Sequence, residues 1–135
     1  KGGNKTVLSG VPKTLPSLIK ACRIQEKAAN IGFDWKHKND VWDKVKEEIA
    51  ELETEITSNN TDNIEGEFGD LIFSIINAAR LYGVNPENAL ERTNQKFISR
   101  FNYIESKATA SNRKLSELTL QEMDALWNEA KQQNK

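Results

Sequence analysis

The chain has 135 residues, 37% hydrophobic and 29% charged, with a formal net charge of -1. That length suits one domain with one core, and the near-neutral balance supplies no basic field to attract nucleic acid. The single Cys22 excludes an internal disulfide and a cysteine-built zinc site. No apolar run spans a membrane and no signal peptide is present, so a cytoplasmic protein is the plain expectation.

Residues 1–14 hold three glycines and one proline among few apolar side chains, and read as a linker or mobile arm. Residues 15–135 read as the folded domain. A first helix begins near Leu15, with Pro16 in the opening turn, where its missing N–H costs nothing. Leu18, Ile19, Cys22 and Ala29 give it one apolar side, and Gly32 suits the position past its C-terminus. Phe33 and Trp35 then place two aromatics in a connector, an expected cover over a helix end.

A second helix starts at about Asp40, a good N-cap residue. Val41, Val45, Ile49, Leu52 and Ile56 recur at spacings of four, four, three and four, which predicts a core-facing stripe. Glu48 falls beside that stripe and Glu51 further round, both bordering the seam, while Glu53 has a solvated position. A polar connector over residues 57–63 follows, with Asp62 and Glu65 placed like a capping box. The third helix carries Ile64, Phe68, Leu71, Ile72, Ile75, Ile76 and Ala79 on one broad apolar face. Glu67 flanks that face, Asp70, Ser74 and Asn77 lie on the more polar side, and Gly83 ends the helix. The short connection makes the second and third helices antiparallel neighbours.

Asn85-Pro86-Glu87 is a strong start for a fourth helix, whose core face is Leu90, Thr93, Phe97, Phe101 and Ile104. Lys96 and Arg100 form an i,i+4 basic pair on it. Residues 107–118 show no clear period and read as a connector. Thr119 and Glu122 form a capping box, with Leu118 and Met123 placed as a hydrophobic staple, for a last helix running to about Lys131. Half-buried strand alternation is absent, so the expected fold is an all-α bundle of about five helices.

The chemistry concentrates in Glu47-Glu48-Ile49-Ala50-Glu51 and, after fifteen intervening residues, Glu67-Phe68-Gly69-Asp70. Residues three apart share a helix face, so Glu48 pairs with Glu51 and Glu67 with Asp70. Such acids repel one another unless a cation lies between them, and unpaired carboxylates at a packed seam are costly. Lys44 is the only basic residue placed to pair with Glu48 within a turn. Glutamate is also a common helix-surface residue, so spacing alone leaves a solvated acidic face and a metal site both open. An all-oxygen donor set would select Mg²⁺ or Mn²⁺ and point to phosphoryl chemistry. Lys44, Lys96 and Arg100 are the basic groups available for phosphates. A di-iron bundle would need Glu-x-x-His pairs, and the only histidine, His37, lies in a connector. Trp127 is the best placed tryptophan to stack on a base.

These segments together resemble the MazG family of nucleoside triphosphate pyrophosphohydrolases, in the all-α NTP pyrophosphatase superfamily. The similarity runs over nearly all of residues 15–131. It is carried by the E-E-x-x-E and E-x-x-D clusters, by Gln25-Glu26-Lys27-Ala28-Ala29 with Gly32-Phe33-Asp34-Trp35, by Asn77-Ala78-Ala79-Arg80, and by Asn94-Gln95-Lys96-Phe97 with Arg100-Phe101. The resemblance implies that Glu48, Glu51, Glu67 and Asp70 bind Mg²⁺, with Mn²⁺ as a substitute. Glu47 belongs to the motif and, off the ligand row but beside it, is the candidate to position the attacking water; Lys44, Lys96 and Arg100 fall where family members have basic residues near the phosphates. Asn77 and Trp127 would help hold the nucleotide, and Asn63 stands where some relatives have a lysine. It further implies hydrolysis of nucleoside triphosphates to monophosphate and pyrophosphate, in a homodimer or higher homo-oligomer. The entry from Gly10 to Pro16 looks like the lead-in to the second domain of tandem MazG proteins, so a C-terminal domain of a longer chain is expected. The competing expectations are a non-catalytic oligomerisation or regulatory module, and a narrower dUTP or dCTP pyrophosphatase.

Overall fold

A computed structural model describes residues 5–133; the first four residues of the expected arm lie outside the described residues. Five α-helices and one short 3-10 turn are present, and no strand occurs among the described residues. The chain divides into two compact units, the first through Glu87 and the second from Asn88.

The first unit holds α1 (Ser17–Asn30), α2 (Asp40–Ser58) and α3 (Thr61–Leu81). Pro16 precedes α1, and Gly32 follows it with φ +99°, a left-handed conformation that glycine adopts without strain. Helices α2 and α3 pack antiparallel across a two-residue connection, much shorter than the expected one. The α3 start differs too: its cap is Asn60, whose side chain accepts from Asn63 N–H, rather than an Asp62 box. Asn59 closes α2 in the left-handed region, which the short Asn side chain tolerates. At the far end of the pair, the Trp42 indole donates to the Tyr82 hydroxyl at 3.0 Å. Gln25 ties α1 to α3 by donating to the Phe73 carbonyl at 3.0 Å.

The buried row of α2 is Val41, Val45, Glu48 and Leu52. Ile49 and Ile56, expected in that row, are 42% and 51% exposed. On α3 the buried residues are Ser74, Ile76 and Ala78, while Phe68, Ile72 and Ile75 are about half exposed. Small side chains let helices approach closely, so the side read from sequence as polar takes part in packing and much of the most apolar face points outward.

The second unit comprises most of α4 (Pro86–Ala110), a 3-10 turn at Leu115–Glu117 and α5 (Leu120–Gln133). Helix α4 begins at Pro86, as expected, and Glu87 N–H bonds the Asn85 side chain. The expected connector is shorter, because α4 continues to Ala110 and the 3-10 turn fills part of the rest. Arg113 fastens this segment by donating to the Glu117 carbonyl and to Glu122. The α5 capping box forms in both directions, with Glu122 N–H on Thr119 Oγ1 and Thr119 N–H on Glu122 Oε1. Tyr103 joins the two helices by donating to Glu129 at 2.7 Å.

Candidate active site

The antiparallel pairing of α2 and α3 brings the two acidic clusters together. One carboxylate oxygen from each of Glu47, Glu48 and Glu51 lies within 4.8 Å of the others, and so does one from each of Glu48, Glu67 and Asp70. Glu48 belongs to both groups. It is 4% exposed and sits in the buried row itself, not merely beside it. Glu67 is half-buried, while Glu47, Glu51 and Asp70 are exposed.

Lys44, one turn earlier on α2, donates to Glu48 Oε1 at 2.8 Å and lies 3.6 Å from Glu47. The bond to Glu48 raises its pKa. One lysine does not satisfy the cluster. Glu48 Oε2 and Glu67 Oε2 are buried without a hydrogen-bond partner among the described residues. The Glu67 carboxyl is pushed above its usual range, first by burial and then by the negative charges of Glu51, Asp70 and Glu48.

These features fit a divalent cation. The donors are all carboxylate oxygens, two of them are buried and unanswered, and the local charge disfavours ionisation of Glu67. A hard cation supplies the missing positive charge and accepts oxygen ligands while leaving positions for water or phosphate. Chemically, such a centre can bind an anion that acidic side chains alone would repel.

The remaining expected site residues fall elsewhere. Asn77 lies two turns beyond Asp70 on α3, where its Oδ1 accepts from Arg80 at 2.7 Å. Arg80 in turn grips Asp34 with both terminal nitrogens, at 3.2 and 2.7 Å, and lowers the Asp34 pKa. Lys96, Arg100 and Trp127 belong to the second unit. There the Arg100 guanidinium lies 5.4 Å from the Trp127 ring centre, and Phe97 packs against the same ring at 5.2 Å. Lys96 is exposed.

Spacing assigns no role to Gln25, Asp34 or Arg80. Gln25 and Phe73 lie 48 residues apart and Asp34 and Arg80 46, so no local pattern announces these bonds. The available signal was a glutamine one turn from Cys22 and Ala29 on the apolar side of α1, where a polar side chain needs a partner.

Comparison with known proteins agrees with this geometry. The family described as the MazG nucleotide pyrophosphohydrolase domain matches residues 37–104, which include all five clustered acids. The nucleoside triphosphate pyrophosphohydrolase/pyrophosphatase MazG of Thermotoga maritima is 39% identical over 132 residues, covering 97% of this chain and 51% of that protein. The nucleoside triphosphate pyrophosphohydrolase of Escherichia coli K12 is 38% identical over 130 residues, covering 95% and 49%. The uncharacterized protein YabN of Bacillus subtilis is 46% identical over 128 residues, covering 94% and 26%. The chain thus spans about half the length of the first two relatives.

Proposed function

Since the chain belongs to the MazG nucleotide pyrophosphohydrolase domain family, we propose that it hydrolyses nucleoside triphosphates to nucleoside monophosphate and pyrophosphate in a Mg²⁺-dependent reaction. The observation that carries this reading is the five-acid cluster on α2 and α3, with two buried carboxylate oxygens lacking partners among the described residues. In this reading Glu48, Glu51, Glu67 and Asp70 hold Mg²⁺, with Mn²⁺ as a substitute. Bound there, the cation neutralises phosphate oxygens and acidifies a water.

Glu47 is exposed beside the ligand row and takes the role of base. It orients the attacking water and receives its proton. Water oxygen attacks the α-phosphorus, the α–β anhydride bond breaks, and the electron pair leaves with pyrophosphate. Lys44 holds Glu48 in place and offers its remaining N–H donors to the phosphates. Lys96 and Arg100 stabilise the charge of the leaving pyrophosphate. Their inclusion is supported by the family pattern and by their i,i+4 spacing on α4. Trp127 holds Arg100 through its ring face and so contributes to nucleotide binding. Asn77 contributes from α3.

The same reading places the protein in the cytoplasm as a homodimer or higher homo-oligomer. Among the described residues no helix is long and apolar enough to cross a membrane. The half-exposed Ile49, Ile56, Phe68, Ile72 and Ile75 supply an apolar surface that a second copy would cover.

The test is pyrophosphate release from a panel of ribonucleoside and deoxyribonucleoside triphosphates, with Mg²⁺ and with chelator. Pyrophosphate and monophosphate are expected in equal amounts with Mg²⁺ and neither with chelator. No release from any triphosphate by folded, Mg²⁺-supplied protein would refute the enzyme reading and leave the non-catalytic module. Release from dUTP or dCTP alone would establish the narrower enzyme.

A further inference from the structure

Arg80 on α3 is a cation held in a mostly buried place, with a side chain 14% exposed. A charge with so little water around it needs an anionic partner. Asp34 supplies one, accepting from Nη1 at 3.2 Å and from Nη2 at 2.7 Å. Asp34 is itself fixed by its connector, because Oδ1 also accepts from Trp35 N–H at 2.9 Å. The connector after α1 therefore braces the Arg80 guanidinium from outside its own helix. Phe33 and Trp35, expected as a cover over a helix end, instead line a cavity of about 460 Å³ together with Asp34, Asn77 and Arg80.

The bracing reaches one residue further. A terminal guanidinium nitrogen carries two hydrogens. On Arg80 Nη2 one goes to Asp34, and the other goes to Asn77 Oδ1, again at 2.7 Å. A guanidinium has no acceptor, so the Asn77 amide cannot turn over without setting N–H against N–H. Oδ1 is thus committed to Arg80, and Nδ2 is the edge left to meet a ligand. The positive charge behind the amide also polarises it and strengthens Nδ2 as a donor. Arg80 is poorly placed to be a ligand group itself: Nη2 is fully used and Nε is buried.

The position of Asn77 gives that donor a use. It lies seven residues beyond Asp70, which returns it to nearly the same face of α3 about 10 Å along the axis. In the hydrolysis reading the nucleotide extends away from a cation at Asp70, and its phosphate and sugar oxygens are acceptors. An unbraced asparagine would offer either edge to such an oxygen; the braced one offers only N–H.

We propose that Arg80 is a positioning residue for nucleotide binding, which with Asp34 locks the Asn77 amide so that Nδ2 donates to an oxygen of the bound nucleotide. The inference rests on the hydrolysis reading above and deepens it.

The experiment measures kcat and KM for the best-hydrolysed triphosphate of the panel at saturating Mg²⁺. Arg80→Gln brings an acceptor as well as donors, and so frees the amide to turn. KM is expected to rise roughly three- to tenfold, the range of one lost hydrogen bond, with kcat little changed. A mere loss of folded protein would instead lower the apparent kcat at constant KM. Asn77→Asp keeps the size and the Arg80 contact but exchanges donor for acceptor, and should raise KM more than Asn77→Ala does. In an Asn77→Ala background Arg80→Gln should add nothing. An unchanged KM in Arg80→Gln, additive effects of the two substitutions, or Asn77→Asp no worse than Asn77→Ala would overturn the assignment. If the unaltered chain hydrolyses no triphosphate, the hydrolysis reading fails on its own. The positioning claim is then read by NMR of the isotopically labelled chain with Mg²⁺ and the α,β-methylene analogues of the four ribonucleoside triphosphates. A saturable shift of the Asn77 side-chain amide that Arg80→Gln abolishes would support it, and no shift with any analogue would overturn it.

Discussion

Glu48 concentrates the electrostatic question on one side chain. A carboxylate on the buried row of a helix is tolerated only with a partner, and Lys44 answers one of its oxygens. The other oxygen, with Glu67 Oε2, is buried without a hydrogen-bond partner among the described residues, which supports the proposed cation. Asp70→Asn and Glu51→Gln each remove one charge of the proposed ligand set from an exposed position, so neither should disturb packing. Turnover should fall by at least the roughly 10–100-fold seen when even an outer partner of a metal site is lost. The helical circular dichroism should be retained, and the rise in thermal midpoint on adding Mg²⁺ should shrink. Near-normal turnover in either variant would show that the carboxylate is not a ligand. The cluster was legible at this scale because Glu48 with Glu51, and Glu67 with Asp70, are neighbours by helical spacing alone. The Gln25, Asp34, Asn77 and Arg80 network was not, because most of its bonds join α3 to groups far away in the chain.

Helix ends follow local chemistry, and most of them were readable. Gly83 leaves α3 with φ +73°, Pro86 opens α4, and Thr119 with Glu122 caps α5. The α3 start lies earlier than local spacing suggests because Asn60 competes with Asp62 for the cap, and the antiparallel packing of α2 on α3 favours the tighter turn. Glu122 also receives Arg113, and these bonds hold its carboxyl down at about 2, against an ordinary 4.5. A carboxyl lowered on folding contributes stability above its unfolded pKa and loses it as pH falls through the folded one. Glu122→Gln should therefore lower the thermal midpoint at neutral pH. The difference from the unaltered chain should narrow below about pH 4.5 and close near pH 2. The pair is exposed, so the effect should also weaken in high salt. A midpoint difference that persists unchanged to pH 2 would assign the loss to packing, not to charge.

At the scale of the molecule, the distribution of apolar side chains departs from that of a self-contained bundle. Ile72 and Ile75 are about half exposed on α3, as are Leu90, Phe97 and Ile98 on α4. Exposed apolar groups on this scale suit an interface better than solvent. Sedimentation should show a dimer or larger species, and Ile72→Lys with Ile75→Lys should give a monomer with its helical signal preserved. A monomeric unaltered chain at micromolar concentration would refute the proposed assembly.

The sequence by itself determined the helical class, most of the helix ends and the acidic clusters, because these depend on residues within a few positions of one another. Only the tertiary structure decided which face of each helix is inside. Periodicity ranks faces by hydrophobicity, whereas packing of α2 on α3 also rewards small residues, and so it buries Ser74 and Ala78 and leaves Ile72 and Ile75 outside. The same choice set Glu48 into the seam and tied α1 to α3 through Gln25 and the Phe73 carbonyl, 48 residues apart in the chain.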